Sequence, residues 1–142
     1  LIHLYTEVEL YKGGRVKLEE FLNQKYEKDI LVKVHIKKNN SKSIYKCMRN
    51  SRSDYPILNL AISKDDNNFK ICVGARPQRA IIAKEASEFI SNNILNEENI
   101  LKASEIACEE LVFGSNMRAS KEYRKAICKS LVKSALMEVS SC

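Results

Sequence analysis

The sequence has no tryptophan, only two histidines, two prolines and four glycines in 142 residues. So little glycine and proline excludes a collagen-like chain, and a 44% apolar, 30% charged composition argues against wholesale disorder. Long apolar runs are missing too. A membrane-spanning helix needs about 20 apolar residues in a row, whereas stretches such as Leu111–Phe113 are short, so no membrane partner is expected. The first residues lack the basic start, apolar run and small-residue cleavage site of a secretory leader. A chain starting at Leu1 is expected to be a piece of something longer. None of the five cysteines (Cys47, Cys72, Cys108, Cys128 and Cys142) shares a C-x-x-C spacing with another. An odd, scattered set fits reduced thiols in the cytoplasm and argues against a disulfide framework, a structural zinc or an iron–sulfur cluster in this chain. No metal site is expected.

What the chain does have is an uneven basic excess. Lys and Arg number 24 against 18 Asp and Glu, a net charge of +6. Lys37, Lys38, Lys42, Lys46, Arg49 and Arg52 follow one another with no acid between them. Lys and Arg neutralise phosphates, and Tyr45 and Tyr55 stand where bases could stack. A solvated loop is nevertheless the default for such a stretch and is favoured over nucleic acid. A loop that meets an anionic cofactor or a partner subunit is the third reading.

The chain changes character near its middle. Up to Gly74 it reads as strands and turns, and after Pro77 as helices. Leu4–Leu10 alternates as a strand, Gly13-Gly14 suits a type I′ hairpin turn, and Lys17–Asn23 reads as a short helical turn. Ile30, Val32, Val34 and Ile36 form the cleanest period-two run, which predicts a buried apolar face and a wet face of Lys33, His35 and Lys37. The basic stretch from Asn39 to Asp54 has no clear period. Ile57–Ile62 and Phe69–Val73 flank a polar Asp- and Asn-rich turn, predicting another hairpin. Pro77 is placed in the first turn of a helix ending near Asn92-Asn93. Asn96 caps a second helix, and Ser120 caps a third that buries Tyr123, Ile127, Leu131 and Ala135. The fold class is therefore α+β: an antiparallel sheet of three to four strands packed against about three C-terminal helices as a two-layer sandwich.

Little catalytic chemistry is visible. His35 lies on a polar strand face and reads as a solvated histidine. The pairs Glu19-Glu20, Glu97-Glu98 and Glu109-Glu110 point apart on helices and read as solvated faces. Gly13-Gly14 lacks a phosphate-binding pattern. No catalytic residue is assigned, and the chain alone is not expected to be catalytic.

Several segments, read in order, resemble one family. Gly74-Ala75-Arg76-Pro77-Gln78-Arg79-Ala80, followed by Glu85 and Phe89, resembles its G-x-x-x-x-P-x-R-A region, with Pro77 slightly early. Arg118-Ala119-Ser120-Lys121-Glu122-Tyr123-Arg124 resembles its R-x-S-x-x-Y-R signature. Tyr45-Lys46, then Arg49 or Arg52, Asp54 and a strand ending Leu60-Ala61, keep its order, as do Asp29–Val34 and Val8–Phe21. The family is the flavin-binding subunit of molybdenum hydroxylases: the medium subunit of carbon monoxide dehydrogenase and the flavin part of xanthine dehydrogenase. The resemblance covers nearly the whole chain but only the C-terminal part of such a subunit. It implies that residues 1–38 are the tail of the preceding FAD-binding domain. Residues 39–142 would be the carbon monoxide dehydrogenase flavoprotein-like C-terminal domain.

The resemblance implies a role in covering FAD, which relays electrons from [2Fe–2S] clusters to NAD or another acceptor in a xanthine-dehydrogenase-like enzyme. The implied partners are a molybdopterin-binding subunit, a [2Fe–2S] subunit, the missing N-terminal FAD-binding domain and NAD. FAD is expected in the complete subunit and not in this chain alone, which lacks the glycine-rich phosphate segments. The cofactor-facing residues it implies are Lys46, Tyr45, Arg49, Arg52 and Asp54. Lys46 would sit beside the flavin ring, where a fixed cation favours the anionic reduced form. The family's arginine three residues before the aspartate is replaced here by Ser51, with Arg52 two before Asp54. Asp54 would anchor its loop by accepting backbone N–H bonds. Arg118 and Arg124 would pair with carboxylates or carbonyls, and Tyr123 would lie in the core. Two other readings stay open at this stage: a subunit or dimer interaction module with no cofactor of its own, and a nucleic-acid-binding domain through Lys37–Arg52.

Overall fold

Charged and apolar side chains alternate along the first strands, and the sheet they form sorts them onto opposite faces. A computed structural model describes residues 1–24, 28–38 and 40–141 and divides the chain into two compact units, Leu1–Asn40 and Ser41–Cys142.

The first unit is a three-stranded antiparallel sheet of order β2-β1-β3, with β1 at Glu7–Leu10, β2 at Gly14–Lys17 and β3 at Leu31–His35. Val8 stands opposite Val16 and Val34, and Glu9 stands opposite Arg15 and Lys33. Directly opposed residues share a face, so one face is apolar and the other carries the charges. The charges pair: Arg15 Nε meets Glu7 Oε2 at 2.5 Å and His35 Nε2 meets Glu9 Oε2 at 2.7 Å. His35 is thus a half-buried, paired histidine and not a solvated one. Its hydrogen bond holds the Glu9 carboxyl below its usual range.

Three local expectations are corrected here. The strand begins at Glu7, because Ile2–Leu4 form a 3-10 turn closed by Tyr5 at φ 53°. The hairpin is a three-residue loop, since Leu10 pairs with Gly14, and only Gly14, at φ 66°, needs a left-handed conformation. This is the arrangement of a turn closed by a bulge glycine, not of a type I′ pair. The Asp29 carboxylate fixes the loop by accepting from Lys12 N, Gly13 N at 2.8 Å and Ile30 N at 2.7 Å. Finally, the Ile30, Val32, Val34 and Ile36 side chains are 47–68% exposed. The α-helix described in this unit, α1 at Leu18–Asn23, is six residues long and packs mainly on β2 and β1, so it leaves β3 uncovered.

The second unit carries the larger core. Strands β4 (Lys42–Met48), β5 (Leu58–Asp65), β6 (Asn68–Gly74) and β7 (Ile81–Ile82) make one antiparallel sheet in sequential order. The expected Asp- and Asn-rich hairpin joins β5 to β6, with Asp65 opposite Asn68 and Asp66 at φ 52°. Helices α2 (Lys84–Asn92), α3 (Glu97–Glu110) and α4 (Lys121–Ser141) form the second layer. Helix α2 packs on β6, α4 packs on β5 and β4, and α3 packs against both helices. Leu58, Leu60 and Ile62 of β5, Ile71 and Val73 of β6, Ile90 of α2, and Val132 and Leu136 of α4 are fully buried between the layers. Burial of each such side chain contributes about 1.5–3 kcal/mol.

Strand β4 lies in the stretch that showed no period, and Pro77 lies outside any helix. Ile81 and Ile82 are extended and pair with Val73 and Cys72, as suits β-branched residues, so α2 starts only at Lys84. Strand β7 is short, and the backbone N–H groups of β6 beyond its end find helix side chains instead. Ile71 N donates to Ser87 Oγ at 3.0 Å and Phe69 N to Ser91 Oγ at 2.9 Å. A buried strand edge is thereby satisfied. Asn96 caps α3 as expected, accepting from Asn99 N at 2.8 Å.

Candidate functional site

Alternation along β4 decides where its side chains go. Ile44, Lys46 and Met48 stand opposite Ile62, Leu60 and Leu58, whose side chains enter the core under the helices. Lys46 is therefore on the helix side of the sheet. Its stem runs past the core edge, and Nζ donates to Glu138 Oε2 of α4 at 2.6 Å. Tyr45 and Cys47 point to the opposite face. Arg49, two residues beyond the thiol, brings its guanidinium against the Cys47 sulfur and the Tyr45 hydroxyl, which hold its pKa above the ordinary value.

The loop that follows returns the chain to β5. Arg49 Nη1 lies 3.5 Å from the Arg52 carbonyl, and the Arg52 side chain itself is exposed. Asp54 N donates to Ser51 O at 3.2 Å, and Ile57 N donates to Met48 O at 2.8 Å to close the loop. Asp54 Oδ1 accepts one backbone bond, from Tyr55 N at 2.7 Å, and faces Arg118 Nε at 3.5 Å. The Arg118 guanidinium also lies over the Tyr55 ring, 5.4 Å from its centre.

The five cofactor-facing residues thus fall into three places. Tyr45 and Arg49 come together around Cys47, on the face away from the helices. Lys46 is on the other face with Glu138, and Asp54 belongs to a cluster with Tyr55 and Arg118. The exposed Arg52 contributes its backbone to the loop. The basic residues of this stretch are accordingly not one continuous cationic strip.

The segment from Arg118 to Arg124 holds this loop at two points. Arg118 grips it at Asp54 and Tyr55. Arg124, 1% exposed, grips its end: Nε donates to Ile57 O at 3.0 Å. The same guanidinium donates to Gly114 O at 2.5 Å, Ala119 O at 2.7 Å and Asn116 Oδ1 at 2.7 Å. Burial and the nearby Arg76 lower its pKa, but a guanidinium stays charged, so its fork is satisfied by oxygen dipoles. Ser120 Oγ caps α4 by accepting from Tyr123 N at 3.2 Å. Tyr123 itself is 49% exposed and not in the core. Arg124 takes the buried position of the first helical turn, which turns Tyr123 outward.

Two participants were not singled out from the sequence. Glu138 anchors Lys46. Glu110, one of a pair read as a solvated face, caps α2 by accepting from Glu85 N at 3.0 Å and Ala86 N at 3.1 Å. Helix α2 has no side-chain cap of its own at Ala83, and that gap was the available signal. No cluster of three or more metal-ligating side chains exists among the described residues, and none of their helices is long and apolar enough to span a membrane.

Residues 43–139 match the model of the family described as the CO dehydrogenase flavoprotein C-terminal domain. Among solved structures, quinoline 2-oxidoreductase from Pseudomonas putida 86 matches with a TM-score of 0.85 and 20% identity, over 99% of this chain and 54% of that one. Carbon monoxide dehydrogenase from Hydrogenophaga pseudoflava matches with a TM-score of 0.83 and 16% identity, over 99% and 54%. Reconstituted CO dehydrogenase from Oligotropha carboxidovorans gives the same values. At these identities the structures share the fold, and the chain spans about half the length of each. No curated protein matches the sequence.

Proposed function

We propose, starting from the fact that the chain belongs to the CO dehydrogenase flavoprotein C-terminal domain family, that it forms part of the flavin subunit of a xanthine-dehydrogenase-like molybdenum hydroxylase. In that subunit it helps to cover FAD. The observation that carries this reading is the match of residues 43–139 to that family, and within the matched segment Tyr45 and Cys47 stand on the helix-free side of β4 with Arg49 just beyond them. A phenol hydroxyl, a thiol and a guanidinium are a donor set that fits the polar edge of a flavin ring. Only four glycines occur in the chain, none in a phosphate-cradling pattern, so the pyrophosphate of FAD is held by other parts of the subunit.

When bound, FAD passes electrons between iron–sulfur centres and an acceptor such as NAD. This chain's residues orient and tune it. With FAD bound, Arg49 and Tyr45 would donate hydrogen bonds to the ring edge. Lys46, on the other face of β4, would act on the ring only through the sheet, with its charge already paired to Glu138. Asp54 keeps the loop from Arg49 to Ile57 in place through Arg118, and Arg52 lies on the outer side of that loop toward the acceptor. The partners are the molybdopterin-binding subunit, the [2Fe–2S] subunit and the rest of the flavin subunit. The free cysteines suit a reducing compartment such as the cytoplasm.

The test is a titration with FAD, followed by flavin fluorescence and visible absorbance, on the complete subunit and on this chain. The reading expects stoichiometric binding by the complete subunit and none by the chain alone. Tight binding by the chain alone would give it a phosphate site of its own and overturn the division of labour. Absence of flavin from the complete subunit would remove the function.

A further inference from the structure

Two guanidinium groups meet at Gly114 with no carboxylate between them. Arg76 stands half-buried in the loop between β6 and β7. A Cβ at Gly114 would lie 3.4 Å from Arg76 Nη1 and 3.5 Å from its Cδ, so the Arg76 side chain runs along the glycine backbone. The carbonyl of the same glycine accepts from Arg124 Nη1 at 2.5 Å. The four oxygens that hold Arg124 belong to Ile57, Gly114, Ala119 and the Asn116 amide, and all are neutral. The Asp54 carboxylate is taken by Arg118. Among the described residues Arg76 has no hydrogen-bond or ion-pair partner. Its charge acts on Arg124 instead: after burial, it is the second cause that lowers the Arg124 pKa. Like charges this close repel, and burial of one of them reduces the screening by water.

The chain holds Arg76 in this place on a fixed backbone. Ala75 adopts φ 76°, a conformation in which a residue with a Cβ is strained. Gly74 lies so close to β5 that a Cβ on it would stand 2.4 Å from Asn59 Oδ1. On the other side Pro77 is buried, with its φ set by the ring. A guanidinium presents five N–H donors in a planar fork that matches two oxygens of one anion. In Arg76 the whole fork is available.

We propose that Arg76, lying over Gly114 beside the buried Arg124, binds a phosphate dianion, either free phosphate or the phosphate of a monoester. The Arg76 fork donates to two of its oxygens, and Arg124 supplies a second positive charge from behind the Gly114 carbonyl. A phosphate monoester carries roughly two negative charges at pH 7, which matches the two guanidiniums, whereas a carboxylate carries one. The phosphates of FAD are diesters with a single charge each. The site is therefore distinct from the flavin pyrophosphate and does not rest on the flavin reading.

The test is a calorimetric titration of the complete protein with inorganic phosphate and with adenosine monophosphate. The buffer is free of phosphate, and sodium chloride holds the ionic strength constant. Saturable binding is expected. Arg76→Met should weaken it by about tenfold or more, the worth of one charge-assisted hydrogen bond. Arg79→Met removes the same charge from an exposed position of the same loop and should leave the affinity unchanged. Tighter binding of adenosine monophosphate would assign the phosphate to a nucleotide, and equal or weaker binding would assign it to the free ion. Thermal unfolding without phosphate adds a second reading. Arg76→Met should keep or raise the midpoint, because it removes a repulsion and keeps an apolar stem. The absence of saturable binding by both probes would overturn the proposal. So would equal weakening by Arg76→Met and Arg79→Met, or a lower midpoint for Arg76→Met, which would give Arg76 a partner within the fold.

Discussion

Arg124 Nε and the Ile57 carbonyl are 3.0 Å apart across 67 positions of sequence. That bond ties the start of α4 to the end of the loop carrying Arg49, Arg52 and Asp54. The same side chain also holds the turn between Gly114 and Ala119. The loop's shape therefore depends on a helix that contributes no residue to the Tyr45–Arg49 cluster.

Replacing Arg124 by Met should leave buried carbonyl oxygens without donors. Each such oxygen costs about 1–3 kcal/mol, so the whole change should cost roughly 2–4 kcal/mol, allowing for relaxation. Arg124→Lys should recover only a part, because an ammonium cannot reproduce the guanidinium fork. Urea unfolding of the variants checks this, and an unchanged midpoint for Arg124→Met would contradict the role.

Arg118→Ala should behave differently. The Asp54–Arg118 pair is partly exposed, so its loss should lower global stability by less than about 1 kcal/mol. Hydrogen exchange of the Tyr55 amide should nevertheless quicken, because Asp54 then loses the partner that positions its acceptor oxygen. An Arg118→Ala protein with unchanged Tyr55 exchange would show that the loop needs no such grip.

Glu110 and Glu109 are neighbours with different duties. Glu110→Ala removes the cap of α2 and should cost about 1 kcal/mol, while Glu109→Ala should stay within about 0.5 kcal/mol. Thermal midpoints of the two variants give the comparison. Equal effects would refute the cap.

Asp29 carries a pH dependence. Burial, the largest single effect, raises its pKa, but the hydrogen bonds from Lys12, Ile30 and Gly13 together with the Lys12 charge outweigh it and hold the carboxyl below its ordinary value. Its stabilising effect on the hairpin is therefore fully present above the unfolded value of about 4 and is lost as pH falls through the lower folded value. The Gly13 amide shift should follow this titration in NMR, and Asp29→Asn should flatten the curve. A midpoint at or above the ordinary carboxyl value would reverse the sign.

Much of this architecture was legible in the chain. The Asp- and Asn-rich stretch between the apolar runs Ile57–Ile62 and Phe69–Val73 specified a hairpin because a turn is set by its own local side chains. Asn96 and Ser120 announced their helices because a cap needs one local side chain. Strand β4 stayed hidden because Lys46 occupies a core-facing position, its charge carried out to Glu138, which breaks the apolar period. Ile81-Ile82 was read as helix because two residues set no period, and only the partner strand β6 makes them extended. The exposed face of β3 shows the opposite failure, a perfect alternation with no layer above it. As for the site, the sequence put Tyr45, Lys46, Arg49, Arg52 and Asp54 within ten positions, but proximity in sequence does not distinguish the two faces of a strand. The grip of Arg118 on Asp54 joins distant segments, and the R-x-S-x-x-Y-R resemblance was its only trace.

The most direct measurement is an equilibrium redox titration of FAD in the complete subunit, for the native protein, Arg49→Met and Lys46→Met. If this chain's residues face the flavin, loss of Arg49 should destabilise the anionic reduced form, lower the reduction potential and loosen FAD by about tenfold, the worth of one charge-assisted hydrogen bond, whereas Lys46→Met, across the sheet and paired with Glu138, should shift the potential less. Potentials and affinities identical to those of the native subunit in both variants would contradict the account.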